Sequence, residues 1–133
     1  MDATVKEFVR YLKATVPALK LVYLFGSRAG SEFHAESDID LALLADRALT
    51  HDEMSALKLE ATRLFEEPMD LIDLFTASLV LTFQVIESGV VLFVADPRVA
   101  GDFETTALAK YCCLNQERKE LLKAIQARGF IHA

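Results

Sequence analysis

The spacing of apolar positions along this chain switches between helical and strand-like stretches. Residues 3–15 place Val5, Phe8, Val9 and Leu12 at helical spacing, with Thr4 and Glu7 in the form of a capping box and Pro17 ending the pattern. Two short apolar runs, Leu21–Phe25 and 41–44, have the length and composition of strands. Thr50 and Glu53 mark the start of a second helix, Met54, Leu57, Leu64 and Phe65 give it an apolar side, and Pro68 stops it. Residues 69–74 read as a third strand, 79–87 as a short helix closed by Gly89, and Val90–Val94 as a fully apolar fourth strand. Asp96 and Pro97 then make a turn. From 99 to 128 the pattern is helical again, with Leu108, Tyr111, Cys112, Leu114, Arg118, Leu121, Leu122 and Ile125 near one broad face. As one rod that helix is roughly 45 Å long, more than a small domain needs to close its own core. Part of it is therefore expected to pack on another chain.

The stretch between the first two strands carries the chemistry. It holds a Gly26-Ser27 turn, a polar connection, and the triplet Asp38-Ile39-Asp40 at the entrance to the second strand. Side chains on a strand alternate faces, so Asp38 and Asp40 point the same way and Ile39 the other. Two carboxylates on one face repel each other unless a cation lies between them. Hard divalent ions such as Mg²⁺ take one or two protein carboxylates and complete their shell with water and substrate phosphates. A Gly-Ser turn just upstream offers backbone N–H groups and a hydroxyl to those phosphates. A lone D-x-D is common on solvated surfaces, and a Gly-Ser turn alone is weaker still. Together, at this spacing and between two apolar strands, they read as a metal–nucleotide site.

The pattern G-S-x10-D-x-D in that setting resembles the signature of the DNA polymerase β nucleotidyltransferase superfamily. The resemblance implies an α/β (α+β) nucleotidyltransferase fold: a mixed four-stranded sheet packed with helices and followed by a long C-terminal helix. It also implies two-metal catalysis, with Asp38 and Asp40 holding Mg²⁺ and the nucleoside triphosphate, and Gly26 and Ser27 holding the triphosphate tail. A third carboxylate is expected to bind the second metal and activate the acceptor hydroxyl. Asp70 and Asp73 are three apart, so they face opposite sides of an unbroken strand and only one can join the other two. Asp70, near the strand start, is chosen. Arg28 directly follows Ser27 and is within reach of a phosphate, whereas His34 in the connection and His51 at the start of the second helix are expected to be exposed. The turn departs from the small-family pattern G-S-R-A-x-G, since Gly30 follows Ala29 directly.

Length narrows the resemblance further. At 133 residues one domain is expected, spanning 1–133, and no acceptor-binding domain follows the fourth strand, only the helix over 99–128. This is similar to the minimal nucleotidyltransferase (MNT, MntA-like) antitoxins, and Phe103-Glu104-Thr105 followed by Tyr111 and Glu117-Arg118 adds to the likeness. What that group implies is a protein adenylyltransferase. It transfers AMP from ATP to a tyrosine hydroxyl of a partner HEPN-domain ribonuclease toxin and so neutralises it. The partner would supply the acceptor surface this chain lacks. Two alternatives stand beside it: an antitoxin that acts by stoichiometric binding without catalysis, and a small-molecule, antibiotic-type nucleotidyltransferase subunit.

Composition changes little in this picture but removes competitors. An apolar fraction of 53% supports a core, yet no run approaches the roughly 20 apolar residues that span a bilayer. The charges at Asp2, Lys6, Glu7, Arg10, Lys13 and Lys20 do not suit a signal peptide, so the cytoplasm is the expected location. A net charge of −6 argues against a broad surface for nucleic acid. The two cysteines, Cys112 and Cys113, are adjacent, a geometry that disfavours a disulfide, and are expected in the core or at an interface.

Overall fold

The computed structural model describes residues 3–26 and 39–127. In chain order the elements are α1 (Ala3–Thr15), β1 (Leu21–Phe25), β2 (Ile39–Leu44), α2 (His51–Leu64), β3 (Met69–Asp73), α3 (Leu79–Ser88), β4 (Val90–Val94) and α4 (Pro97–Ala127). The strands form one mixed sheet in the order β3-β2-β1-β4. β1 pairs antiparallel with β2 and β4, while β2 and β3 run parallel. A parallel pair needs a long crossover, and α2 supplies it.

Helices cover both faces because the central strands are apolar on both. On one face, Val5, Phe8 and Leu12 of α1 and Leu57 and Ala61 of α2 pack on Val22, Ile39, Leu41, Leu43 and Leu71. On the other, α3 and the first turns of α4 close over Leu21, Tyr23, Ala42, Leu44 and Leu74 through Leu81, Val85, Ala100 and Phe103. The alternation along β2 is therefore strict, with Ile39, Leu41 and Leu43 on the first face and Asp40, Ala42 and Leu44 on the second.

The capping box at α2 is present as the sequence implies. Thr50 Oγ1 accepts from the Glu53 N–H, and the Thr50 N–H donates back to the Glu53 carboxylate. Arg47 adds a two-pronged ion pair to the same carboxylate at 2.8 and 2.9 Å. The Glu53 carboxyl is lowered to about 2, first by the Arg47 guanidinium and then by the Thr50 N–H. A folded value below the unfolded 4.5 means the stabilisation is complete above 4.5 and lost as pH falls toward 2. Glu53→Gln is expected to flatten the acid loss of stability across that window. Urea unfolding midpoints of both proteins at several pH values check this, and the difference should shrink with salt because the pair faces solvent.

Several local expectations are corrected. α1 already includes Ala3, so Thr4 sits inside the helix rather than capping it. β2 begins at Ile39, two residues before the apolar run, because Asp40 is a sheet residue despite its charge. Asp96-Pro97 opens α4 instead of making a turn: the Arg98 N–H donates to Asp96 Oδ1 and Pro97 takes the first helical position, where no N–H is needed. Gly89 ends α3 as expected, in an extended conformation with φ −80. A side chain there would collide with the Val85 carbonyl and crowd the Tyr23 ring, so close packing is what requires glycine. Cys112 and Cys113 are free thiols exposed on α4, so of the two expected places, core or interface, only the core of this chain is excluded.

Candidate active site

Asp40 and Asp70 are brought side by side by the parallel pairing of β2 with β3. They are direct register partners, and Phe25 of β1 is the partner of Asp40 on its other side. Neighbouring strands lie about 4.8 Å apart, so the two carboxylates leave adjacent backbone positions on the same face. Asp40 is half-buried and Asp70, on the edge strand, is exposed. Burial of one and exposure of the other produces a site with a floor and an opening.

Gly26 follows β1 at the same end of the sheet. Its φ is +79, a left-handed conformation that side chains rarely adopt. A Cβ at this position would collide with Oδ2 of Asp40, so the Gly26 backbone lies directly against that carboxylate. The conformation favours glycine here, and any side chain would have to displace the Asp40 carboxylate. Ser27, Arg28 and Asp38, the other expected site residues, lie outside the described residues, as does His34.

Asp73 falls on the opposite face, as the spacing of three requires. It is buried, 8% exposed, and its two carboxylate oxygens accept from the Leu49 and Phe75 N–H groups at 2.9 Å each. These bonds hold the β2–α2 and β3–α3 connections together behind the site. Asp73→Ala leaves two donors without an acceptor and should cost about 3 kcal/mol of stability, read from urea unfolding. Asp70→Ala, on the exposed edge, should leave the unfolding midpoint nearly unmoved. The two carboxylates thus separate by which measurement they change.

Among the described residues no group of three or more His, Cys, Asp or Glu side chains gathers to hold a metal. Two of the three expected carboxylates, Asp40 and Asp70, are in that set and adjacent. Their all-oxygen, hard donors suit Mg²⁺ rather than a thiophilic or imidazole-seeking ion. A cleft of about 680 Å³ lies elsewhere, bordered by Lys20, Leu44, Leu74, Phe75, Phe103 and Lys110. It sits at the Leu21–Leu44 end of the sheet, whereas the carboxylates are at the Phe25–Asp40 end. The carboxylate pair defines the candidate site better than the size of that hollow.

Sequence reading passed over Tyr23. Its ring is buried in the second face, 1% exposed, and its hydroxyl donates to the Glu104 carboxylate of α4. Burial first, then the Glu104 bond and charge, push the phenol well above its ordinary range, so it stays protonated as a donor. A tyrosine amid an apolar strand run was the available signal, since a buried hydroxyl needs a partner.

Known proteins align with this arrangement over nearly its full length. The polymerase β nucleotidyltransferase family model matches residues 6–98. Protein adenylyltransferase MntA of Shewanella oneidensis is 31% identical over 121 residues, which is 91% of this chain and 86% of that protein. A crystal structure of a toxin–antitoxin with AMP-PNP superposes with a TM-score of 0.80 at 30% identity, covering 91% of this chain and 97% of the matched one. A solved structure of a tri-AMPylated Shewanella oneidensis HEPN toxin in complex with MNT antitoxin gives a TM-score of 0.76 at 28% identity, over 92% and 96%. The mixed sheet with its long last helix is their fold. This chain belongs to the polymerase β nucleotidyltransferase family, among its minimal, MntA-like members.

Proposed function

We propose that this protein is an adenylyltransferase antitoxin that moves AMP from ATP onto a tyrosine hydroxyl of a HEPN ribonuclease toxin and thereby silences it. The observation that carries the reading is the in-register pair Asp40–Asp70 with the Gly26 turn against Asp40, in a chain that aligns almost end to end with an adenylyltransferase. A related solved structure with AMP-PNP and another with an AMPylated HEPN toxin support the nucleotide and the acceptor.

In the reaction, the acceptor oxygen forms a bond to the α-phosphorus of ATP as the bond from that phosphorus to the bridging oxygen breaks. Pyrophosphate leaves with the electron pair, and the tyrosine proton passes to the Asp70 carboxylate and on to water. Asp38, Asp40 and Asp70 would hold two Mg²⁺ ions, whose charge supports the attacking and leaving oxygens. Gly26, Ser27 and Arg28 would receive the triphosphate through backbone N–H groups, a hydroxyl and a guanidinium. Asp70, exposed on the edge strand, is the carboxylate open to an incoming hydroxyl, while half-buried Asp40 stays with the nucleotide. The cytoplasm, which supplies ATP and holds the toxin's RNA target, is the proposed place of action. No helix among the described residues is long and apolar enough to cross a membrane.

The distal half of α4 is the proposed docking element for the toxin. Leu121 and Leu122 are 61% and 51% exposed there, far more than apolar residues with a covering element of their own. The same feature favours the second reading, an antitoxin that works by binding alone. Incubation of the toxin with ATP labelled at the α- or the γ-phosphate separates the two. The proposal expects label on the toxin from the α position only, with pyrophosphate released. Protection from the toxin with no transfer of either label would establish binding alone.

A further inference from the structure

The bond between Tyr23 and Glu104 joins the two parts that the proposed reaction must hold in register. Tyr23 stands in the middle of β1, on the sheet face that also carries Asp40, and two residues before Phe25, the register partner of Asp40. Glu104 stands near the root of α4, beside Phe103, which packs on that same face. Phenylalanine at position 23 would fill the same space without a hydroxyl to satisfy, so packing does not account for tyrosine there. The hydroxyl's one described partner is a carboxylate 81 residues away on a different element.

The rest of α4 meets the body through apolar and ring contacts, Ala100 and Phe103 among them. Ala107 is buried against the body, and the Tyr111 ring stacks on Phe83 of α3 with centroids 4.0 Å apart and planes within 5°. Past Leu114 the helix carries mostly exposed residues up to Ala127. Stacked rings and apolar surfaces give little direction, whereas a hydrogen bond to a carboxylate does. From Glu104 to Ala127 the rod runs about 35 Å, so a tilt of about 10° at its root moves its tip by about 6 Å. In-line attack is far less tolerant, since a misplacement of about 1 Å can cost about 100-fold in rate.

We propose that Tyr23 and Glu104 are positioning residues for the protein acceptor: their bond sets the angle of α4 against β1, and so where a partner docked on the distal helix presents its hydroxyl to Asp40 and Asp70. This rests on the adenylyltransferase reading above. Tyr23 is buried and its hydroxyl is engaged by Glu104, so in this reading both act through the helix rather than on nucleotide or acceptor. Loosening the bond therefore affects use of the partner and spares use of ATP.

The test uses the full chain with its HEPN partner, measuring initial rates of AMP transfer while ATP and partner are varied separately. Tyr23→Phe and Glu104→Ala should each lower kcat/KM for the partner about tenfold and leave the KM for ATP within about twofold. Glu104→Gln retains an oxygen for the hydroxyl and should stay within about threefold of the wild type. The double variant Tyr23→Phe, Glu104→Ala should be no worse than either single, as residues acting through one bond require. Tyr23→Phe with wild-type kcat/KM for the partner overturns the proposal. So does a matching rise in KM for ATP, which would mark a general structural role. Failure of the wild type to transfer AMP at all overturns the adenylyltransferase reading and this proposal together, and is distinct from an active wild type with an indifferent Tyr23→Phe.

Discussion

Asp40→Asn is expected to all but end AMP transfer and to leave the fold standing. The substitution keeps the shape and volume of the side chain but removes its charge, at a position held between Phe25 and Asp70 in the sheet. Phosphoryl transfer depends on charge neutralisation and positioning more than on covalent chemistry by the protein, so one lost carboxylate falls mainly on rate. A fall of about 10³-fold or more is expected in transfer to the partner. Asparagine keeps the side chain's size and hydrogen-bonding oxygen and leaves the apolar packing over β2 unchanged, so the urea midpoint should move little. Side-by-side rate and unfolding measurements check both halves. Wild-type turnover would remove Asp40 from the reaction, and an unfolded variant would make the residue structural.

Gly26→Ala is the second large effect, and it arises without touching a charge. The added methyl meets Oδ2 of Asp40, and the backbone must hold φ +79, where an L side chain is strained by about 1–2 kcal/mol. The chain can relieve the clash only by moving the carboxylate or by opening the turn. Either response displaces a group proposed to receive the triphosphate. Transfer should fall about 100-fold, with a rise in KM for ATP, while stability drops by no more than about 2 kcal/mol. Steady-state kinetics at varied ATP, beside urea unfolding, test the pairing of a large kinetic loss with a modest thermodynamic one. Unchanged KM and kcat would mean the turn stands clear of the nucleotide.

Much of this was legible because strand parity is a strong rule. Asp70 and Asp73 lie three apart, and the structure puts Asp70 beside Asp40 and Asp73 on the other face, where it accepts two backbone N–H groups. The bounds of β1 and β4 follow their apolar runs, and the Thr50–Glu53 box starts α2 where its two side chains say it should. What the sequence left hidden has physical causes. Asp96-Pro97 has the same residues whether it makes a turn or opens a helix, and the structure resolves it through the bond to the Arg98 N–H. Gly89 was legible as a helix end, but the Val85 carbonyl and the Tyr23 ring that leave no room for a side chain there are contacts only the folded structure supplies. The Tyr23–Glu104 bond spans 81 residues, beyond any local pattern. The length of α4 was readable; which of its residues the body covers was not, because the covering of Ala100, Phe103 and Ala107 and the stacking of Tyr111 on Phe83 come from tertiary contacts.

The adenylyltransferase reading meets its most direct test in the intact mass of the HEPN partner after incubation with this protein, ATP and Mg²⁺. Mass increments of whole AMP residues, absent when Asp40→Asn replaces the wild type, are the expected result. A partner bound tightly but unchanged in mass would contradict it and leave neutralisation to binding alone.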